Sequence, residues 1–162
     1  MLEIKKMQFD ECHLVVDLIH KLASEEGHNN LVKVDASQLQ EDGFGAHPLF
    51  EAYIARIDDA IVGFTLYTYL YSGWLGRRLL YIEDLYILPE YRNQGFGKIF
   101  LHFLARTAHN QNIQLVWETE RESFAKRQFF HSLGAKDRSD KVGQYLSGNA
   151  LKNFVEAPIH LG

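Results

Sequence analysis

The stretch Arg92-Asn93-Gln94-Gly95-Phe96-Gly97-Lys98 constrains this chain more than any other. It follows an apolar run ending at Leu88-Pro89 and opens a segment with helical periodicity. A basic, glycine-containing turn between a strand and a helix N-terminus predicts a strand-loop-helix unit suited to hold a pyrophosphate. Glycines let the backbone approach the anion, amide N–H groups point outward, and the helix dipole favours negative charge. The spacing, Arg-x-x-Gly-x-Gly, is neither the dinucleotide fingerprint nor the nucleotide-hydrolase loop ending in Gly-Lys-Ser/Thr. A plain turn contains Gly-x-Gly as readily; the flanking strand and helix supply the argument for an anion site.

The remaining elements build around that unit. Leu2, Ile4 and Lys6 alternate with their neighbours as in a short strand. A helix starts at Phe9-Asp10, with Asp10 as cap, Phe9 stapled onto Leu14, and Leu14, Val15, Leu18, Ile19 and Leu22 on one apolar face. A second helix runs from Asp35, its cap, to Asp42 and stops at Gly43. Phe50 to Arg56 and Ala60 to Tyr71 form an antiparallel hairpin turned at Asp58-Asp59. Leu79 to Leu88 is a further strand, reached through Trp74 and Gly76, and leads into the glycine loop. Lys98 to Asn110 is a helix with Ile99, Phe100, Phe103 and Leu104 inward; Ile113 to Glu118 is a strand; Ser123 to Leu133 is a helix closed by Gly134. Tyr145 to Ser147 reads as a last strand and Asn149 to Val155 as a terminal helical turn. Antiparallel strands followed by strand-helix-strand-helix-strand predict a mixed α/β (α+β) fold, one central mixed sheet with helices on both faces.

Size and charge narrow the classes. A chain of 162 residues with 11 Phe and 8 Tyr is one domain with material for a core, spanning 1–162. The net charge of −4 argues against general nucleic-acid binding and mildly suits a cationic substrate, although it also suits simple solubility. Cys12 is the single cysteine, which excludes an internal disulfide and fits a reducing compartment. No run is long enough to span a bilayer, so a cytoplasmic protein without membrane contact is expected. The eight histidines are scattered without metal-ligand spacing, and no metal is expected.

The order of elements and the glycine loop resemble the GNAT superfamily of acetyl-coenzyme A-dependent N-acetyltransferases. Glu41-Asp42-Gly43-Phe44-Gly45 with His47-Pro48, Tyr71 to Gly76 containing Trp74, and Tyr81-Ile82-Glu83-Asp84-Leu85-Tyr86 running into Pro89-Glu90-Tyr91-Arg92 narrow the resemblance. They are similar to the diamine acetyltransferase branch, which includes spermidine/spermine and thialysine acetyltransferases. The resemblance implies a GNAT sheet of about six to seven strands, acetyl-CoA (coenzyme A) as cofactor, a small-molecule primary amine as acceptor and a homodimer.

Acyl transfer from a thioester to an amine makes three demands. The first is a neutral amine. A lysine-like amine has a pKa near 10.4, so roughly one molecule in a thousand is neutral near pH 7, a cost of about 4 kcal/mol. An acidic pocket attracts the cation and a carboxylate then takes the proton, directly or through water. Glu83 is the candidate base, because it lies in an otherwise apolar strand where an unpaired charge is costly. Asp84 points to the opposite face unless a bulge intervenes; in the family the strand bulges there and the matching Glu contacts the amine. The alternative is that Glu83 and Asp84 pair with Arg77, Arg78 or another basic group and only tie the sheet together.

The second demand is oxyanion stabilisation by backbone N–H groups where two parallel strands splay. By resemblance these belong to Leu85, Tyr86 and Ile87, which also pair with the pantetheine arm. Arg92, Asn93, Gln94, Gly95, Phe96, Gly97 and Lys98 would hold the pyrophosphate. Ser123, Phe124, Ala125 and Lys126 match the segment touching the distal cofactor, or are an ordinary helix start capped by Ser123.

The third demand is a proton for the departing thiolate. The family places a tyrosine in a helix reading Tyr-x-x-Leu-Gly-Ala. Here the sequence is Phe130-His131-Ser132-Leu133-Gly134-Ala135, so Phe130 occupies the cofactor-contacting position and cannot donate. Either another group, with Tyr145 the candidate, or water protonates the thiolate, or the chain binds the cofactor and turns over poorly. A thiol with a pKa near 8.5 leaves tolerably unaided, and acid assistance is worth about 10² to 10⁴ in rate.

For the acceptor, Glu25 and Glu26 match an acidic segment near the polyamine site, and Val116, Trp117 and Glu118 match a segment lining it. Trp74 and Trp117 serve equally well as core or interface aromatics. Ser72 stands where polyamine enzymes have aspartate and thialysine enzymes have serine, which favours a lysine-like amine over a polyamine. A cofactor-binding module with lost catalysis and a protein N-acetyltransferase are the competing functions.

Overall fold

The computed structural model describes residues 1–137 and 146–157. It divides into two compact units, Met1–Glu118 and Thr119–Gly162.

The first unit is a five-stranded sheet in sequential order: β1 (Leu2–Lys6), β2 (Glu51–Ile57), β3 (Ala60–Ser72), β4 (Arg77–Ile87) and β5 (Leu115–Trp117). All neighbours are antiparallel except β4 and β5, which are parallel and joined by a helical crossover. The turn between β2 and β3 holds Asp58 and Asp59 at φ 47° and 69°, the paired left-handed conformation of a tight hairpin.

Helices α1 (Cys12–Glu25) and α2 (Ala36–Phe44) cover one face. Cys12, Val15 and Leu18 of α1 and Leu39 of α2 pack with Ala52, Ile54, Phe64, Tyr86 and Leu88 of the sheet side. Helix α3 (Phe96–Asn110) covers the other, where Phe100 packs with Ala55 and Val62 and leans on Leu85 and Ile87. The mixed sheet with helices on both faces is as expected. The strand count is smaller: five among the described residues against six to seven. Tyr145 lies outside the described residues, and Leu146 and Ser147 lead into helix α5 (Gly148–Glu156) without joining a strand.

Local differences have physical causes. A 3₁₀ turn at Phe9–Glu11 precedes α1, so the chain enters earlier than expected and Asp10 is not the cap. Gln8 takes that place, its backbone N–H donating to Glu11 Oε2 at 2.8 Å. The Phe9 ring meets Phe44 edge-on at 5.6 Å. Asp35 does cap α2, accepting from the Gln38 N–H at 2.9 Å, but the helix runs past Gly43 to Phe44. The inward face of α3 is Phe100, Leu101, Leu104 and Ala108, while Ile99 is exposed and Phe103 leans on Tyr53 at 4.9 Å.

In the second unit, α4 (Phe124–Ser132) follows Ser123, whose hydroxyl donates to Glu120 Oε2 at 3.2 Å and does not cap the helix. Gly134, at φ 92°, closes it as expected.

Candidate active site

Strand β4 carries one extra residue. Leu66 of β3 opposes Asp84, but the next residue, Tyr67, opposes Ile82, so Glu83 has no partner. This is a β-bulge, and it changes the phase of the strand. Before it, Leu80 donates its N–H towards β5, to Gln114 O at 2.9 Å. After it, Leu88, also even-numbered, donates towards β3, to Val62 O at 2.9 Å. Backbone groups alternate along a strand, so Leu85 and Ile87 direct theirs at the β5 edge and Tyr86 directs its own at β3.

That edge is open. Pairing of β4 with β5 stops at Ile82–Trp117, one residue before the bulge, while β4 continues to Ile87. Strand β5 itself ends at Trp117, so the parallel pair stops there and β4 runs on past Glu83 without it, which leaves an opening of the splay type. Gly63 supports the far side of the splay: a Cβ there would lie 2.1 Å from Tyr86 O, so β3 and β4 come together only because residue 63 is glycine.

Carboxylates gather at the bulge. Glu83 is exposed and Asp84 half-buried on adjacent positions. Burial pushes the Asp84 carboxyl up to about 6, and the charges of Glu83 and then of Glu26 add to the effect. Thr65, fully buried, donates its hydroxyl to the backbone oxygen of Asp84 at 2.7 Å, which fixes the bulge from behind. Arg77 and Arg78 do not answer these acids. Arg77 donates to Asn112 O at 3.2 Å, and Arg78 donates to Gln111 Oε1 at 2.8 Å and stacks over Tyr69 at 4.3 Å. Both arginines face the loop before β5, a tertiary neighbour, so neither of these two ties Glu83 or Asp84 to the sheet. What the cluster favours chemically is a cation, and its half-buried member is ionised at pH 7 but takes up a proton near pH 6.

Downstream of β4, a 3₁₀ turn at Pro89–Tyr91 leads into the glycine loop. Asn93 and Gly95 both take left-handed conformations, at φ 60° and 84°, and a Cβ at Gly95 would meet open space. Gly95 is the N-cap of α3 and supplies no side chain, so the first N–H groups of α3, on Phe96, Gly97 and Lys98, receive no side-chain cap. Exposed loop backbone and uncapped donors at a helix N-terminus fit an anion such as a diphosphate. Arg92 is placed differently from the rest of the loop. Its Nε donates back to Ile87 O at 2.8 Å and its Nη2 to Glu25 Oε2 at 2.7 Å. Tyr86 donates its hydroxyl to the other oxygen of Glu25. These two bonds, Tyr86 first, hold the Glu25 carboxyl below its ordinary range, while burial and then Glu25 push the Tyr86 phenol up to about 12. This ring of three was not foreseen; only the fold brings residue 25 to residues 86 and 92.

The other expected residues differ in their distance from the bulge. Val116 is buried in the core, Trp117 closes the β4–β5 pairing and Glu118 is exposed. Ser72 accepts from the Leu75 N–H at 3.2 Å in the β3–β4 turn, next to Trp74, which is 95% exposed. Ser72 lies six positions along the strand from Leu66, the partner of Asp84, or about 20 Å, so one chain does not bring Ser72 and Glu83 around one small amine. Within the second unit, Lys126 bonds Glu120 at 3.3 Å, and the rings of Phe129 and Phe130 lie 5.4 Å apart. Among the described residues, no group of His, Cys, Asp and Glu could hold a metal and no helix is long and apolar enough to cross a membrane.

The model of the acetyltransferase (GNAT) family matches residues 16–135. Thialysine N-epsilon-acetyltransferase of Bos taurus is 32% identical over 94% of this chain and 96% of its own length. Spermidine/spermine N(1)-acetyltransferase-like protein 1 of Homo sapiens is 29% identical over 89% of this chain but only 22% of its own length. An integron cassette protein from V. cholerae shares the fold with a TM-score of 0.79 at 22% identity, over 96% of this chain and 98% of that one.

Proposed function

The chain belongs to the acetyltransferase (GNAT) family and is an acetyl-CoA-dependent amine acyltransferase; from that premise we propose that it acetylates a primary amine of a small molecule, lysine-like or polyamine, by direct attack in a ternary complex. The observation that carries the reading is the bulge at Glu83, which opens the β4 edge and gathers the carboxylates at one point.

Acetyl-CoA supplies the activated acyl group. The loop from Asn93 to Lys98 holds its diphosphate through backbone N–H groups at the start of α3. Leu85 and Ile87 hold the strand-like arm and offer N–H groups to the carbonyl oxygen as it gains charge. Glu26, Glu83 and Asp84 draw in the ammonium form of the acceptor. Glu83, exposed at the bulge, takes the proton directly or through water. Asp84 assists where the proton is passed on to it: a carboxyl near 6 in place of 3.8 makes transfer of an amine proton to that group about 3 kcal/mol less uphill. Phe130 cannot return a proton to the thiolate, so water or another group does so, and turnover is slower than with a tyrosine there.

The family match crosses the boundary between the two units, which supports one working domain over 1–162. A homodimer accounts for Ser72 and Trp74: a second copy can present them to the acceptor where a single copy does not. The thialysine relatives favour a lysine-like amine.

A thiol-release screen over spermidine, spermine, thialysine, lysine and short diamines tests the proposal, with calorimetry of coenzyme A alongside. Steady release with one of these amines is the expected result. Tight coenzyme A binding without release from any amine would identify a cofactor-binding module instead, and no binding would refute the site.

A further inference from the structure

Arg92 opens the glycine loop, yet its guanidinium turns away from it. After β4 ends at Ile87, the 3₁₀ turn at Pro89–Tyr91 carries the chain round, and Arg92 folds back on the strand it has just left. Three contacts hold it there. Nε donates to the Ile87 carbonyl, Nη2 donates to Glu25 Oε2, and the guanidinium lies 5.4 Å over the Tyr86 ring. Glu25 is fixed in turn, because its second oxygen accepts the Tyr86 hydroxyl. A planar fork can serve a carbonyl and a carboxylate together; a lysine ammonium cannot reproduce that geometry.

The carbonyl that Arg92 occupies is a particular one. By the alternation set after the bulge, Ile87 directs both backbone groups at the open edge. Its N–H is the last donor of that edge, and its C=O would be the next acceptor for any extended ligand. With the guanidinium on that oxygen, a ladder along β4 ends at the Ile87 N–H. The distance from that end back to Glu83 is then a property of the protein and not of the ligand.

We propose that Arg92 is a positioning residue and not a diphosphate ligand: clamped by Glu25 and Tyr86, it closes the open edge of β4 at Ile87 and sets where the thioester arm must stop. This rests on reading the splay as the thioester site. It also assigns Glu25 to the cofactor side, through Arg92, and not to the acceptor.

The Glu25→Gln variant separates the possibilities by sign, read as the coenzyme A dissociation constant by calorimetry at fixed salt. Loss of the clamp weakens binding by about threefold to fivefold, the size of a partly exposed ion pair. The effect disappears when Glu25→Gln is made in an Arg92→Ala background, Tyr86→Phe moves affinity the same way, and Arg92→Lys fails to restore it. Melting temperatures of the variants check that the fold is intact. If Arg92 instead contacts the diphosphate, Glu25→Gln releases it and removes a competing negative charge, so coenzyme A binds more tightly, which overturns the proposal. Unchanged coenzyme A affinity, with or without a raised KM for the amine, overturns it as well. A wild-type protein that binds no coenzyme A refutes the splay as the thioester site, a separate failure.

Discussion

Asp84→Asn should stabilise this protein in a way that depends on pH. Burial and the charges of Glu83 and Glu26 place the Asp84 carboxyl near 6 in the folded chain, against an ordinary 3.8. The difference corresponds to about 3 kcal/mol. The sign follows from proton binding. Between 3.8 and about 6 the folded state holds the proton and the unfolded state has lost it. Stability from this group is therefore full below the lower value and is lost as pH rises through the upper one. Asparagine carries no proton to lose. Comparing urea unfolding of wild type and Asp84→Asn at pH 4 and pH 8 isolates the effect, because all other titrations are common to both proteins. Because pH 4 already lies just above the unfolded value, the variant should gain about 2 to 2.5 kcal/mol at pH 8 relative to its difference from wild type at pH 4. In a melting experiment that is about 4 to 10 °C for a chain of this size. The Thr65 bond to the backbone oxygen of residue 84 is untouched by the change. The same variant should bind the amine more weakly, since it removes one of the carboxylates that attract it. A stability difference that is constant across pH would refute the reasoning, and so would a variant less stable at pH 8 than at pH 4 relative to wild type.

Glu83→Gln should lower turnover by about 10² to 10⁴ while coenzyme A affinity stays near that of the wild type; equal rates across pH would remove Glu83 as base. Phe130→Tyr should raise the rate if thiolate protonation limits turnover, measured as steady-state thiol release, and an unchanged rate would place the limit elsewhere. Gly63→Ala should cost about 1 to 3 kcal/mol in unfolding experiments, because its Cβ would fall 2.1 Å from Tyr86 O. The end of β4 must shift to admit it, so coenzyme A affinity should fall as well; a variant as stable as wild type would show that the two strands do not depend on that close approach.

Much of the architecture is legible in the order of periodic segments. Turn chemistry at Asp58-Asp59 and the left-handed residues at Gly95 and Gly134 act within a few neighbours, and so do the apolar stripes of α1 and α3. Their placement holds to within a few residues, and the errors fall at boundaries: the entry to α1, the end of α2 and the length of β5. The candidate site is legible only in its parts. Glu83, Asp84 and the glycine loop stand out because charge in an apolar strand and glycines before a helix are local anomalies. The bulge itself is not written in the residues of β4, since it exists only in the register against β3.

Chain-local chemistry by itself determined the strand-loop-helix unit, the hairpin, and the residue types that an amine acyltransferase needs. It also determined that Phe130 offers no proton. Tertiary structure alone decided which of those residues act together. It placed Glu25 on Arg92, 67 positions away in sequence, and drew Glu26 towards Asp84. It also turned Arg77 and Arg78 away from the acids. The reason is physical: backbone preferences are settled within a turn or two, whereas charge pairing and burial are properties of neighbours that only the packed sheet brings together.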